Sequence, residues 1–260
     1  IEVAQKAGQA IMEIYDTVDG ICVESKLDNS PLTNADIAAH ETIISGLRLE
    51  NPNIPVVSEE GKIGNPKDSE FSWLVDPLDG TKEFIKRNGM FTVNIALMKK
   101  NKSRWDPIIG VVHSPVSNKT WFGNTEKSIA ELTENDSQPR TISVSKTIDS
   151  PIQLVASGSH RNDRDELFAE ALGAYELIRM GSSLKACIVA EGNAHLYPRF
   201  GPTSCWDIAA AHAVVSAAGG ILVGPDGRNL RYDILDKILN PYFLVACSSQ
   251  WNSLWINNQD

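Results

Sequence analysis

The run Trp73-Leu74-Val75-Asp76-Pro77-Leu78-Asp79-Gly80-Thr81 constrains this chain more than any other stretch. Its apolar start predicts a strand over residues 71–76 that ends abruptly in Asp76. Pro77 fixes its own φ and is expected to stop that strand. Gly80 permits a tight turn. Thr81-Lys82-Glu83-Phe84-Ile85-Lys86-Arg87 then reads as a helix start, with Thr81 as a candidate N-cap. Two carboxylates therefore flank the Leu78 carbonyl at a strand exit and a helix mouth. Hard oxygens of this kind suit Mg²⁺, which takes one or two carboxylates, waters and a substrate phosphate. The Gly80 and Thr81 amides would face a bound anion. A solvated β-turn explains the same residues, because Asp, Pro and Gly are common in turns.

The flanking rhythm changes along the chain. Residues 2–15 carry a helical stripe (Val3, Ala7, Ala10, Ile11, Ile14), and a second helix is expected from Thr33 to about Leu49. Strands are expected at 54–58, 92–99, 108–113 and 120–123, with a hairpin around Asn101-Lys102-Ser103. The polar stretch 124–140 reads as a boundary or an exposed excursion. Beyond it, strands (152–156, 176–180, 195–197, 221–223, 243–246) alternate with helices (163–172, 182–191, 206–217). That alternation argues for an α/β region with a mixed or parallel sheet. The expectation is an α/β protein in two parts: an α+β part over 1–140 and an α/β part over 141–260.

Further carboxylates follow predicted element ends. Glu59-Glu60 succeeds the 54–58 strand, and Asp207 opens an Ala-rich helix after Gly201-Pro202-Thr203-Ser204-Cys205-Trp206. Asp36 stands three residues after Thr33, a capping-box spacing. Each has a plain explanation: a solvated loop for the Glu pair, helix N-terminal placement for Asp207 and Asp36.

Composition narrows the partners. Lys and Arg total 24 against 33 Asp and Glu, a net charge of −9, which argues against broad nucleic-acid binding. A small anion remains acceptable where local cations offset the field. The four cysteines (Cys22, Cys187, Cys205, Cys247) form no C-x-x-C pair, so reduced thiols are expected rather than zinc or disulfides. No apolar run approaches the roughly 20 residues of a spanning helix. The N-terminus lacks signal-peptide order, and a short leading stretch is expected before Ile1.

Taken in order, Asp36, Glu59-Glu60, Asp76-Pro77-Leu78-Asp79-Gly80-Thr81 and Trp206-Asp207-Ile208-Ala209-Ala210 resemble the signature of the inositol monophosphatase superfamily. These are magnesium-dependent, lithium-sensitive phosphomonoesterases. The likeness is closer still to the bacterial 3'(2'),5'-bisphosphate nucleotidases of that superfamily. It runs through Asp28-Asn29-Ser30-Pro31-Leu32-Thr33, Phe91-Thr92-Val93-Asn94-Ile95-Ala96-Leu97, Gly181-Ser182-Ser183-Leu184-Lys185 and Leu196-Tyr197-Pro198-Arg199-Phe200-Gly201-Pro202-Thr203. It covers essentially the whole chain and is weakest over 124–140.

The resemblance implies a layered α-β-α-β-α sandwich and a two-metal phosphatase. One Mg²⁺ would be held by Glu59, Asp76 and the Leu78 carbonyl, a second by Asp76, Asp79 and Asp207. Glu60 would act from behind them or at a weakly held third ion. Mn²⁺ is the expected substitute and Li⁺ the expected inhibitor. A water on the Glu59 side would attack, and Thr81, hydrogen-bonded to Asp36, would accept its proton. Gly80, Thr81 and Asp207 would contact substrate at the reacting phosphate. Ser159, His160, Ser182, Lys185 and Arg199 would surround a nucleoside 5'-phosphate, Arg199 as a fork and Lys185 as a point charge. Read from the residues alone, His160 is equally an ordinary surface residue, and Lys82, Lys86 and Arg87 equally a solvated helix face. The implied reaction converts adenosine 3',5'-bisphosphate to AMP and phosphate, clearing a by-product of sulfate activation. Related 3'-phosphorylated nucleotides such as 3'-phosphoadenylyl sulfate are further candidates. The alternatives are an inositol monophosphatase of broad specificity and a catalytically silent nucleotide or metal sensor. The expected location is cytoplasmic. The resemblance also allows peripheral association with the inner membrane, although no basic amphipathic anchor is visible.

Overall fold

The computed structural model describes residues 1–17, 21–25, 31–135, 137–157 and 163–259. The first half begins with helices α1 (Glu2–Tyr15) and α2 (Asn34–Glu50), separated by the short strands β1 (Val23–Ser25) and β2 (Pro31–Thr33). It continues through β3 (Val56–Ser58), β4 (Gly61–Ile63), β5 (Phe71–Asp79), helix α3 (Thr81–Ile85), β6 (Thr92–Asn101), β7 (Arg104–Ser114), β8 (Lys119–Asn124), β9 (Ile129–Glu134) and β10 (Arg140–Thr141). The second half supplies β11 (Ile152–Ser157), α4 (Asp163–Ala171), β12 (Tyr175–Met180), α5 (Leu184–Ala190), β13 (Leu196–Arg199), α6 (Cys205–Ala217), β14 (Ile221–Val223), β15 (Phe243–Ala246) and α7 (Asn252–Asn257).

Among the described residues these strands make a β1-β2 ribbon, an eight-stranded sheet ordered β10-β9-β8-β7-β6-β5-β3-β4, and a five-stranded sheet ordered β12-β11-β13-β15-β14. The large sheet is antiparallel except where β3 runs parallel to β5. In the smaller sheet β12, β11 and β13 are parallel, and β15 pairs antiparallel with β13 and β14.

Side-chain alternation along the strands builds the layers. On β6, Val93 and Ile95 join α1 and α2 in one apolar cluster, while Ala96 and Met98 join α5 and α6 in another. On β15, Phe243 and Val245 face that second cluster, and Leu244 and Ala246 face a third containing Phe168 of α4 and Trp255 of α7. The order is thus helix pair, large sheet, helix pair, small sheet, helix pair: the α-β-α-β-α sandwich that the family resemblance implied. Helix α6 lies directly against β7 and β8 at two glycines. A Cβ on Gly110 would overlap the Ala210 carbonyl oxygen, and one on Gly123 would overlap Val214 Cα. Among the described residues, no helix is long and apolar enough to cross a membrane.

Two local expectations are corrected. Pro77 does not end its strand: β5 runs on to Asp79, with Asp76 opposite Asn94 and Asp79 opposite Thr92. Three steps on β5 match two on β6, a bulge, so the proline lacking an N–H sits where the ladder is already irregular. The 124–140 stretch, read as a boundary or excursion, carries β9 and β10 of the large sheet. Ala130 and Leu132 of β9 are buried while Ile129, Glu131 and Thr133 are not.

Candidate active site

The strand faces converge on one place. Val57 of β3 and Leu74 of β5 point toward the middle helical layer, so Glu59 and Asp76, two residues further on, lie on that side. The Glu59 amide donates to the Val75 carbonyl (3.1 Å), which extends the β3–β5 pairing past Ser58 and brings Glu59 beside Asp76. Asp76 is 2% exposed, and its Oδ1 accepts from the Leu78 amide at 3.1 Å.

Asp36 and Asp207 each belong to a capping box at a helix start. Asp36 Oδ2 accepts from the Thr33 amide (2.7 Å) and hydroxyl (2.6 Å). Asp207 Oδ2 accepts from the Ser204 amide (2.9 Å). The capping explanation therefore holds for both, and it aims both carboxylates at the site. Thr81 is the first residue of α3 rather than its cap. Gly80 caps the helix with φ 94°, a left-handed conformation that glycine accepts at little cost. The Thr81 hydroxyl is 3.2 Å from Asp36 Oδ1 and 3.3 Å from the Leu78 carbonyl oxygen.

Asp79 Oδ2 accepts from the Ser183 amide (2.7 Å) and from Asn94 Nδ2 (3.3 Å). Asn94 and Ser183 also bond each other and the Asp207 carbonyl. Neither was assigned a role from the sequence. The signal was present for Asn94: with Thr92 it is a polar residue inside an otherwise apolar strand, where polar groups are kept only with partners.

The acids share one field. Burial raises the proton affinity of Asp76 well above the ordinary carboxylate value, and Glu59, Asp79, Asp207 and Asp36 raise it further. Burial also raises Asp79, against the opposing pull of Lys185 and its hydrogen bonds to Ser183 and Asn94. Asp207 is pushed to about 8 by burial and by Asp79. Among the described residues, no three His, Cys, Asp or Glu side chains are drawn into a closed ligand cage as they stand. What converges is a set of crowded, mutually repelling hard oxygens. That donor chemistry fits Mg²⁺, whose charge removes the repulsion.

Asp79 and Asp207 line a cavity of about 150 Å³ that Lys185 and Arg199 also line. Lys185 is 7% exposed, donates to the Ser182 carbonyl (2.6 Å) and stands 5.4 Å over the Tyr197 ring. Burial lowers it to about 8, with Arg199 adding repulsion. Arg199 Nε and Ser182 Oγ, both cavity residues, are buried without a hydrogen-bond partner. Donors orphaned in this way fit an anion.

Some residues fall outside this cluster. Ser159 and His160 lie outside the described residues. Lys82 and Lys86 are exposed, and Arg87 donates to the carbonyls of Tyr15 and Thr17, tying down the end of α1. Cys205 is buried, with its thiol raised to about 12 chiefly by burial.

The family model for the inositol monophosphatase family matches residues 1–257. The chain is 46% identical over 247 residues to the 3'(2'),5'-bisphosphate nucleotidase CysQ of Escherichia coli strain K12, covering 94% of this chain and 97% of that protein. The crystal structure of CysQ from Bacteroides thetaiotaomicron superposes with a TM-score of 0.80 at 39% identity, covering 94% of each chain. The inositol monophosphatase from Anabaena superposes with a TM-score of 0.73 at 26% identity, covering 98% of this chain and 91% of that one.

Proposed function

The chain belongs to the inositol monophosphatase family, and from that premise we propose that it is a 3'(2'),5'-bisphosphate nucleotidase that removes the 3'-phosphate of adenosine 3',5'-bisphosphate. One observation carries the reading: one cavity is lined by Asp79 and Asp207 and also by Lys185, Arg199 and Ser182, with Arg199 Nε and Ser182 Oγ buried and without a hydrogen-bond partner. A substrate with two phosphates satisfies both the acidic cation-binding groups and the cationic ones, whereas a monophosphate satisfies one set.

Glu59, Asp76, the Leu78 carbonyl, Asp79 and Asp207 would hold Mg²⁺, which would supply charge neutralisation for phosphoryl transfer and a more acidic water. Two ions are the proposed stoichiometry, with Asp76 serving both and Glu60 available to a third. Mn²⁺ as a substitute and Li⁺ as an inhibitor belong to the same proposal. Thr81 donates its hydrogen to Asp36, which leaves its lone pairs for the proton of the attacking water. The Gly80 and Thr81 amides meet the oxygens of the reacting phosphate. Ser182, Lys185 and Arg199 take the 5'-phosphate, Arg199 through its fork and Lys185 as a point charge. The Thr81–Asp36 pair speaks against a silent sensor, which needs no proton acceptor. The proposed location is the cytoplasm, where buried thiols such as Cys187 and Cys205 stay reduced.

Steady-state phosphate release tests the assignment. The expected result is a higher kcat/KM for adenosine 3',5'-bisphosphate than for inositol 1-phosphate. The reverse order would move the enzyme to the inositol monophosphatases of the family.

A further inference from the structure

Asn94 occupies an uncommon position. It is 1% exposed and sits on β6 directly opposite Asp76. The Thr92 hydroxyl donates to its Oδ1 at 3.0 Å, and the Asp207 carbonyl, which can only accept, fixes which end of the amide carries the NH₂. The NH₂ end then faces three acceptors: Asp79 Oδ2 (3.3 Å), Ser183 Oγ (3.0 Å) and the Asp207 carbonyl (3.4 Å). Ser183, 2% exposed, closes the loop, its amide on Asp79 and its hydroxyl on the Asp207 carbonyl. One amide and one serine thereby join four separate chain segments: β6, the end of β5, the residue before α5, and the first turn of α6.

We propose that Asn94 and Ser183 are positioning residues that latch the Asp79 carboxylate and the start of α6 into a fixed relation, so that Asp79 and Asp207 meet a divalent cation together. The proposal rests on the reading of this site as a cation site. Its physical basis is local. Both donors to Asp79 converge on Oδ2, so the carboxylate is held by one edge, its plane is set, and it cannot swing to relieve repulsion from Asp76. The two bonds to the Asp207 carbonyl fix where α6 begins, and hence where the Asp207 side chain projects. Groups that orient ligands in this way carry a cost in metal affinity of roughly 10–100-fold when removed. Plain packing at the junction of two sheets would lower stability and leave affinity alone.

The test is calorimetric titration of Mg²⁺ into metal-stripped full-length protein, well below the melting temperature. The Asn94→Ala and Ser183→Ala variants are compared with the wild type, and circular dichroism confirms the fold. Asn94→Ala is expected to bind Mg²⁺ roughly 10–100-fold more weakly than wild type. Ser183→Ala, which keeps its amide bond to Asp79, is expected to lose less than Asn94→Ala yet clearly more than twofold. Folded variants that bind within about twofold of wild type overturn the latch. Should Asn94→Ala not fold, Ser183→Ala alone decides by the same limit. A wild type that takes up no Mg²⁺ overturns the cation site itself, a failure distinct from unchanged affinity in the variants.

Discussion

Thr81 touches both the Leu78 carbonyl and Asp36, and in the proposed mechanism that pairing separates hydrolysis from simple cation capture. Thr81→Val preserves shape and removes the hydroxyl. Its kcat should fall by roughly 10²–10⁴-fold, the usual worth of a positioned proton acceptor, while Mg²⁺ uptake is retained; unchanged turnover would remove Thr81 from the mechanism. Asp76 carries the opposite burden. Its charge is opposed by burial and by four neighbouring acids. Asp76→Asn should therefore melt at or above the wild type without metal, yet release no phosphate, as thermal scans and a turnover assay can show. Every one of these acids was visible in the sequence as a turn, loop or helix-start residue. Their convergence was not, because spacing along a chain says nothing about which strand exits share a sheet face. The resemblance supplied that, and it passed over Asn94, whose importance lies in partners up to 113 residues away.

At the level of elements, strong periodicity was legible and weak periodicity was not. The stripes of α1 and α2, the apolar runs of β5 and β6 and the Ala-rich α6 all stand within a few residues of their expected places. Strand β9 escaped because its buried positions hold the small Ala130 and a single Leu132 among polar neighbours. The bulge at Pro77 escaped because a proline reads locally as an end, while the partner strand can absorb the irregularity. The seat of α6 depends on Gly110 and Gly123, whose missing side chains admit the helix backbone. Gly110→Ala forces overlap with rigid backbone, not with a flexible side chain. A loss of about 3 kcal/mol or more in urea unfolding is expected, at or beyond the usual range for overpacking. A neutral result would mean that α6 can withdraw from the sheet without cost.

Across the whole molecule the five layers bring two sheets together around the buried acids Asp76, Asp79 and Asp207, and protonation becomes part of stability. Asp76 and Asp207 hold protons more tightly folded than unfolded, Asp207 up to about 8. Their stabilising effect in metal-free protein is present at low pH and lost as pH rises toward about 8. Mg²⁺ at the proposed site would displace those protons, so its increase in melting temperature should be larger near about pH 8 than near about pH 6. The same increase at both would mean that cations bind elsewhere. His212 acts on the acid side. Buried between Tyr232 and Asn229, it is lowered to about 4, so stability falls as pH drops from its unfolded value toward that point. His212→Gln should flatten that limb in acid melts. The central claim, that acids from distant segments gather divalent cations for hydrolysis, is tested most directly by phosphate release from adenosine 3',5'-bisphosphate with Mg²⁺ and with excess chelator. Release that depends on Mg²⁺ and vanishes in chelator is the predicted result; full release in chelator would contradict it.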